Sequence, residues 1–363
     1  MTKATSINTK SANFLDYLHS FRGLAILKIV LGHAVAAACI GAYGVFNVSY
    51  PVLMVSEIFY HDSTLYFAII SGLLFSKVLK PKGYSRFYKS KLKNIILPYL
   101  FFTVVLTLIK INFNHHSGFL EGLQFTVSKI WINFIFGKAN FALWYIPVLI
   151  FLYLMTPVLE FLQNKNKLTK FVFVLIMFAP LFISRIQTLT EYDISVETMV
   201  YFLGSYALGM YLGADLNEKL HKIKTYKWPI ILLGSISTVG LFFLYKNQID
   251  RIGFVSLKET VFYVQKTCFA FLFLLMFKSL GPNQPKWLNS IARDSFSIYF
   301  IHGTILYAVL PWFMFIIGVK DIDPFNVILG SLLLFVLVTL LCLLMVAVFR
   351  KIFGKHSRMI VGA

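Results

Sequence analysis

The stretch Phe21-Arg22-Gly23-Leu24-Ala25-Ile26-Leu27-Lys28-Ile29-Val30-Leu31-Gly32-His33-Ala34 decides the fold. It lies in an apolar run of membrane length, about 18–40, yet carries an arginine and a histidine eleven positions apart. Eleven helical steps bring the two side chains within about 20° of one face, with roughly 16 Å of rise between them. Ionisable groups in a membrane segment are costly and face a bundle interior or an aqueous cavity. The first span therefore builds a polar site into an apolar helix. Lys28 lies about 140° from His33 around that helix, so a separate structural pairing is expected for it.

The rest of the chain has the same character. Of 363 residues 58% are hydrophobic and 13% charged, with a mean hydropathy of +0.75. A soluble domain is closer to about 45–50% apolar and about 25% charged. The net charge of +19 suggests nucleic acid only until the distribution is read. Basic residues sit in short clusters between apolar runs, as in loops facing anionic lipid, and no nucleic-acid partner is expected. Cys39, Cys268 and Cys342 all fall inside apolar runs, so no disulfide framework is implied.

Apolar runs of membrane length occur at about 18–40, 59–79, 95–110, 141–160, 168–186, 198–214, 228–245, 259–278, 292–317 and 325–349. With the N-terminus inside, 23 Lys and Arg fall in inside segments, 8 outside and 3 (Arg22, Lys28, Lys266) in the membrane. That bias predicts an all-α polytopic membrane protein of about ten spans with both termini cytoplasmic. The expectation is one membrane domain over 1–363, with short tails at about 1–15 and 350–363. A cleaved leader ending at Ala34-Val35-Ala36 is disfavoured, because Lys28 would interrupt its apolar region. The outside segment 111–140 holds His115-His116 and the aromatic stretch Trp131-Ile132-Asn133-Phe134, and is read as an interfacial or re-entrant helix. The His pair is read as solvated, and no metal-ligand spacing is found elsewhere.

Individual polar residues leave alternatives open at this point. Arg22, near the cytoplasmic start of span one, either snorkels to the interface or serves a site. His33, past the midplane, is either a neutral histidine bonded across helices or a proton acceptor. The loop Arg86-Phe87-Tyr88-Lys89-Ser90-Lys91-Leu92-Lys93-Asn94 reads as a topology determinant or as a surface for a phosphate-bearing cytosolic ligand. Tyr299 and His302 are neighbours on one helical face, as packing glue or as chemistry. His61-Asp62, at the outer mouth of span two, are read by default as solvated residues at a helix start. Trp144-Tyr145 fits an aromatic belt or a platform for a sugar ring.

Together these pieces resemble the acyltransferase family 3 membrane proteins. The matching segments, in order, are Phe21-Arg22-Gly23 through Gly32-His33-Ala34; Tyr66-Phe67-Ala68-Ile69-Ile70-Ser71-Gly72; and the basic loop ending in Leu97-Pro98-Tyr99. Leu143-Trp144-Tyr145-Ile146-Pro147 follows, then Tyr201-Phe202-Leu203-Gly204 and Ser295-Phe296-Ser297-Ile298-Tyr299-Phe300-Ile301-His302. Lys91, Lys93 and Asn94 depart from the arginines that relatives commonly carry in the basic loop. The soluble esterase-like domain that larger relatives carry after the last span is not expected here.

The resemblance implies O-acylation, acetylation foremost, of a cell-envelope or exported glycan, free or lipid-linked, from a cytosolic acyl-CoA such as acetyl-CoA. No permanently bound cofactor is implied, and the setting would be a bacterial cytoplasmic membrane. It implies His33 as general base or transient acyl acceptor. Arg22 would hold the donor with Lys91, Lys93 and Arg86, while Tyr299, His302, Ser71 and Trp144 would shape the site. Two competing classes are a glycan exporter and a membrane-embedded sensor. Against export, no inverted repeat and no paired helix-breaking segments are visible.

Overall fold

A computed structural model describes residues 2–110, 119–185, 194–253, 255–317 and 323–362. The helices are α1 (Thr2–Tyr43), α2 (Pro51–Tyr60), α3 (Thr64–Leu74), α4 (Tyr84–Lys91), α5 (Leu97–Lys110) and α6 (Phe119–Phe136). They continue as α7 (Tyr145–Asn164), α8 (Lys167–Phe178), α9 (Val196–Ala214), α10 (Leu216–Thr225) and α11 (Lys227–Lys246). The last are α12 (Leu257–Leu280), α13 (Lys286–Arg293), α14 (Ser295–Ile317), α15 (Pro324–Phe353) and α16 (Ser357–Ile360). The described strands are two residues each, β1 (Arg251–Ile252) and β2 (Val255–Ser256), paired antiparallel just before α12. The fold is all-α, as a chain of apolar runs in lipid must be when every backbone group needs an internal partner.

Among the described residues, eight helical segments are long and apolar enough to cross a membrane: Asp16–Tyr43, Pro51–Lys82, Tyr84–Lys110, Tyr145–Asn164, Lys227–Lys246, Leu257–Leu280, Ser295–Met314 and Pro324–Ile360. The apolar runs expected at 168–186 and 198–214 correspond to α8 and α9. Helix α8 has 12 residues and gives way to a 3₁₀ turn at Ala179–Leu181. The second span is bent rather than continuous: α2 ends at Tyr60, Asp62 takes a positive φ of 55°, and α3 resumes at Thr64. The third is bent at a π-helical turn, Leu92–Ile96, between α4 and α5. A helix, α6, forms in the described part of 111–140. His115 and His116 lie outside the described residues.

Helix α1 is the hub. It packs against α2, α3, α12, α13, α14 and α15, and its inner face (Phe21, Ala25, Ile26, Val30, Ala34) is buried in the main core. The closest pair is α3 with α9. A Cβ on Gly72 would stand 2.1 Å from the Tyr206 carbonyl oxygen, and one on Gly209 2.1 Å from that of Ile69. Only glycines let these backbones meet, the small-residue packing of helices in lipid. The C-terminal residues fold back: Val361 is fully buried and its carbonyl accepts from Ser297 Oγ at 2.8 Å.

A test of this packing is Gly209→Ala, whose methyl has only backbone to displace. A cost of about 1–3 kcal/mol is expected, seen as a lowered thermal unfolding midpoint in detergent. Gly240→Ala, with nothing nearer than 3.9 Å, should leave the midpoint unchanged.

Candidate active site

Helix α1 carries His33 into contact with α14. His33 Nδ1 lies 3.0 Å from His302 Nε2, and the two rings are nearly parallel, 4° apart. His302 is fully buried, and its Nδ1 lies 3.0 Å from the Ile298 carbonyl and 2.8 Å from that of Tyr299. A carbonyl only accepts, so His302 Nδ1 must carry the proton. In the neutral ring Nε2 is then the acceptor, and His33 Nδ1–H donates to it. The chain of bonds leaves His33 Nε2 as a lone-pair nitrogen, on the ring edge turned away from His302. Tautomers here follow from partners rather than from seen hydrogens. Phe141 packs edge-on against His33, with centroids 5.0 Å apart. Asn140 holds that loop to α14, donating from Nδ2 to Thr304 Oγ1 at 3.0 Å.

His33 lines a cavity of about 570 Å³ together with Tyr60, Trp144 and Tyr299. Glu57, His61, Asp62 and Arg185 line it too. The last four belong to a buried ionic network that the sequence reading did not foresee. Arg185 donates from Nη1 and Nη2 to the two Asp62 oxygens at 3.1 and 2.6 Å, and from Nε to Glu259 at 3.0 Å. Its guanidinium lies 3.9 Å above the Tyr201 ring, and Tyr201 donates to Asp62 at 3.1 Å. His61 Nδ1 is 2.9 Å from Glu57. His61 and Asp62, expected as solvated residues, are therefore network members, and Asp62 is buried. Lys266, also fully buried, donates to the Ile58 and Phe59 carbonyls at the end of α2. Lys28 finds its structural pairing over the rings of Tyr60 and Phe273, 4.9 and 5.9 Å from their centroids.

At the other end of α1, Arg22 donates from Nε and Nη2 to the Ala292 carbonyl at 3.1 and 2.6 Å. Ala292 is in the last turn of α13, where helix carbonyls lack partners within the helix. Gly23 allows the approach, since a Cβ there would stand 2.5 Å from the Leu288 carbonyl oxygen. His19 Nδ1 accepts from Arg22 Nη2 at 3.3 Å. Lys91 and Arg358 are near enough to Arg22 for mutual charge repulsion, so the structure gathers three cations at this end. Lys91 Nζ also lies 4.4 Å from the centroid of Tyr153. Arg86 and Lys93 are exposed instead. Arg358 has no distinguishing sequence signal; only the folded-back C-terminal turn brings it here.

Aromatic residues run between the two ends. Tyr153, facing the Lys91 ammonium, stands at the cationic end, and Tyr145 is two turns away on the same helix. The Tyr145 ring is 6.4 Å from that of Tyr299, and the Tyr299 ring 5.7 Å from that of His302. The Tyr145 hydroxyl is buried with no hydrogen-bond partner among the described residues. Ser71 is buried on α3 next to Tyr153 and does not line the cavity. Trp144 does line it, with its ring against Phe202 at 5.6 Å.

A family model described as an acyltransferase domain (Acyl_transf_3) matches residues 15–347. The chain belongs to this acyltransferase family. No curated protein and no solved structure matches it. The match spans Arg22, Lys91, His33, His302 and every member of the ionic network of this membrane acyltransferase, while Arg358 lies beyond the matched residues.

The ionic network makes a stability prediction. Arg185→Gln would leave Asp62 and Glu259 buried without their shared cation, at a cost of about 3–5 kcal/mol. The thermal unfolding midpoint in detergent should fall by many degrees. An unchanged midpoint would contradict the assignment of Arg185 as the buried counter-charge.

Proposed function

We propose that this acyltransferase moves an acyl group, most simply acetyl, from a cytosolic acyl-CoA to a hydroxyl of a cell-envelope or exported glycan. The observation that carries the reading is the 3.0 Å contact of His33 Nδ1 with His302 Nε2, whose carbonyl partners imply a His33 tautomer with a basic Nε2 at a cavity. In the proposed step, His33 Nε2 takes the proton of the acceptor hydroxyl as its oxygen attacks the thioester carbonyl. The C–S bond then breaks and the departing thiolate takes that proton from the imidazolium, leaving an ester and a free thiol. His302 steadies the transient imidazolium through the Nδ1–H bond, as a third group orients the base in other nucleophilic sites. A route through an acyl-histidine would use the same nitrogen.

The remaining geometry supports a donor reached from the cationic end. Arg22, Lys91 and Arg358 suit the phosphates of a CoA, and the row Tyr153, Tyr145, Tyr299 leads from them to His302. The clustering of lysines in the loops at this end supports a cytoplasmic orientation for it in a bacterial inner membrane.

His33→Ala, with membrane insertion verified, should reduce glycan O-acylation by about 10²–10⁴-fold. His302→Ala should lower kcat while KM for acetyl-CoA stays put, and His302→Gln, whose Oε1 can accept from His33 Nδ1–H, should restore part of it. Full acylation in His33→Ala would overturn the reading. Glycan trapped inside the cell, rather than exported without ester, would favour an exporter. For the donor end, Arg22→Lys keeps charge but loses part of the hydrogen-bonding fork. A charge-assisted bond of about 1.5–3 kcal/mol translates to a KM for acetyl-CoA roughly tenfold or more above wild type. An unchanged KM would leave Arg22 only as the cap of α13.

A further inference from the structure

The cavity at His33 has a second wall that the proton transfer above does not use. Its charged groups divide into closed and open ones. Asp62 and Arg185 are closed: both Asp62 oxygens are held by Arg185, and their side chains are 4% and 2% exposed. Arg185 also serves Glu259, so its single charge already faces two carboxylates. Lys266 is turned to the Ile58 and Phe59 carbonyls, and Lys28 lies over aromatic rings without lining the cavity. Glu57 and His61 are open, at 17% and 18% exposure, on the cavity they line. The Glu57 oxygen bound to His61 leaves the other for a ligand. His61 Nε2 stands 3.7 Å from Asp62, beyond hydrogen-bond distance.

This wall thus offers a carboxylate oxygen and an imidazole nitrogen, and every lining cation is already outnumbered by carboxylates. Trp144 and Tyr60 add flat apolar surface on the same cavity, whose volume is within the usual range for a small-ligand site. Hydroxyl groups donate to a carboxylate and accept from or donate to imidazole, and aromatic faces pack against the C–H surface of a sugar ring. An incoming carboxylate would instead meet Glu57 and Asp62 with no spare counter-charge, a buried unpaired anion.

We propose that Glu57 and His61 form the acceptor subsite and that it selects an uncharged saccharide unit over a carboxylated one. The proposal rests on the acyl-transfer reading and names the substrate class for it. Glu57 keeps one oxygen on His61 and accepts an acceptor hydroxyl at the other, and so sets which sugars present an oxygen to His33.

The probes are methyl β-glucoside and methyl β-glucuronide, which differ only by a carboxylate in place of a hydroxymethyl group. Purified protein in proteoliposomes is given labelled acetyl-CoA and each probe, and kcat/KM for O-acetylation is compared. The glucoside should be preferred by about tenfold or more. Glu57→Gln, which keeps the shape and removes the charge, should bring the ratio down severalfold toward one. Equal or better use of the glucuronide by the wild type overturns the proposal, as does a ratio that Glu57→Gln leaves unmoved. So does transfer to neither probe while acetyl-CoA is consumed in a His33-dependent way. Should Glu57→Gln fail to insert, the wild-type ratio decides alone. Absence of any His33-dependent consumption of acetyl-CoA fails the acyl-transfer reading itself, a distinguishable result.

Discussion

Two imidazoles joined at 3.0 Å, His33 to His302, tie the hub helix to α14 inside the apolar helix bundle. In such surroundings a hydrogen bond is electrostatically stronger and an unpaired polar group is more costly. The bond therefore does two things at once. It fixes how α1 sits against α14, and it passes the proton preference set by the Ile298 and Tyr299 carbonyls through His302 to His33. The proton placement on His33 is thus decided by backbone carbonyls on another helix.

The other intramembrane charges obey the same rule, each meeting a partner that makes burial tolerable. Arg22 caps the carbonyl end of α13 and Lys266 that of α2. Arg185 binds Asp62 and Glu259. These pairings also shape the site. The bend between α2 and α3 places Asp62 where Arg185 can hold it, and the same turn brings His61 and Glu57 to the cavity. A continuous helix through 51–74 would keep Glu57 and His61 on one face but turn Asp62 about 100° away from His61.

Much of this was legible in the sequence because it is local. An arginine and a histidine eleven apart, and a tyrosine and histidine three apart, are face-sharing patterns that helix geometry alone reveals. The all-α class followed from apolar runs, and the ordered motifs from Phe21 to His302 pointed to the family. The ionic network was not legible, because its members are far apart in the chain: Arg185 is 123 residues from Asp62 and 74 from Glu259. Asp62 looked like a solvated residue at a helix start, which is the ordinary fate of an aspartate before Ser-Thr. The basic loop was legible only as a whole. Nothing in its spacing distinguishes Lys91, which turns inward toward Arg22, from Arg86 and Lys93, which stay exposed, since the π-helical turn after Lys91 shifts the register of the faces. Arg358 reaches Arg22 only through the docking of Val361 under α14.

The most direct measurement is the tautomeric state of His33 and His302 by solid-state NMR on protein labelled with ¹⁵N-histidine in lipid, with His33→Gln and His302→Gln used to assign the signals. The account predicts both rings as the Nδ1–H tautomer, leaving His33 Nε2 unprotonated. A His33 ring carrying its proton on Nε2 would contradict it, because the nitrogen on the edge away from His302 would then be a donor with no capacity to accept a proton.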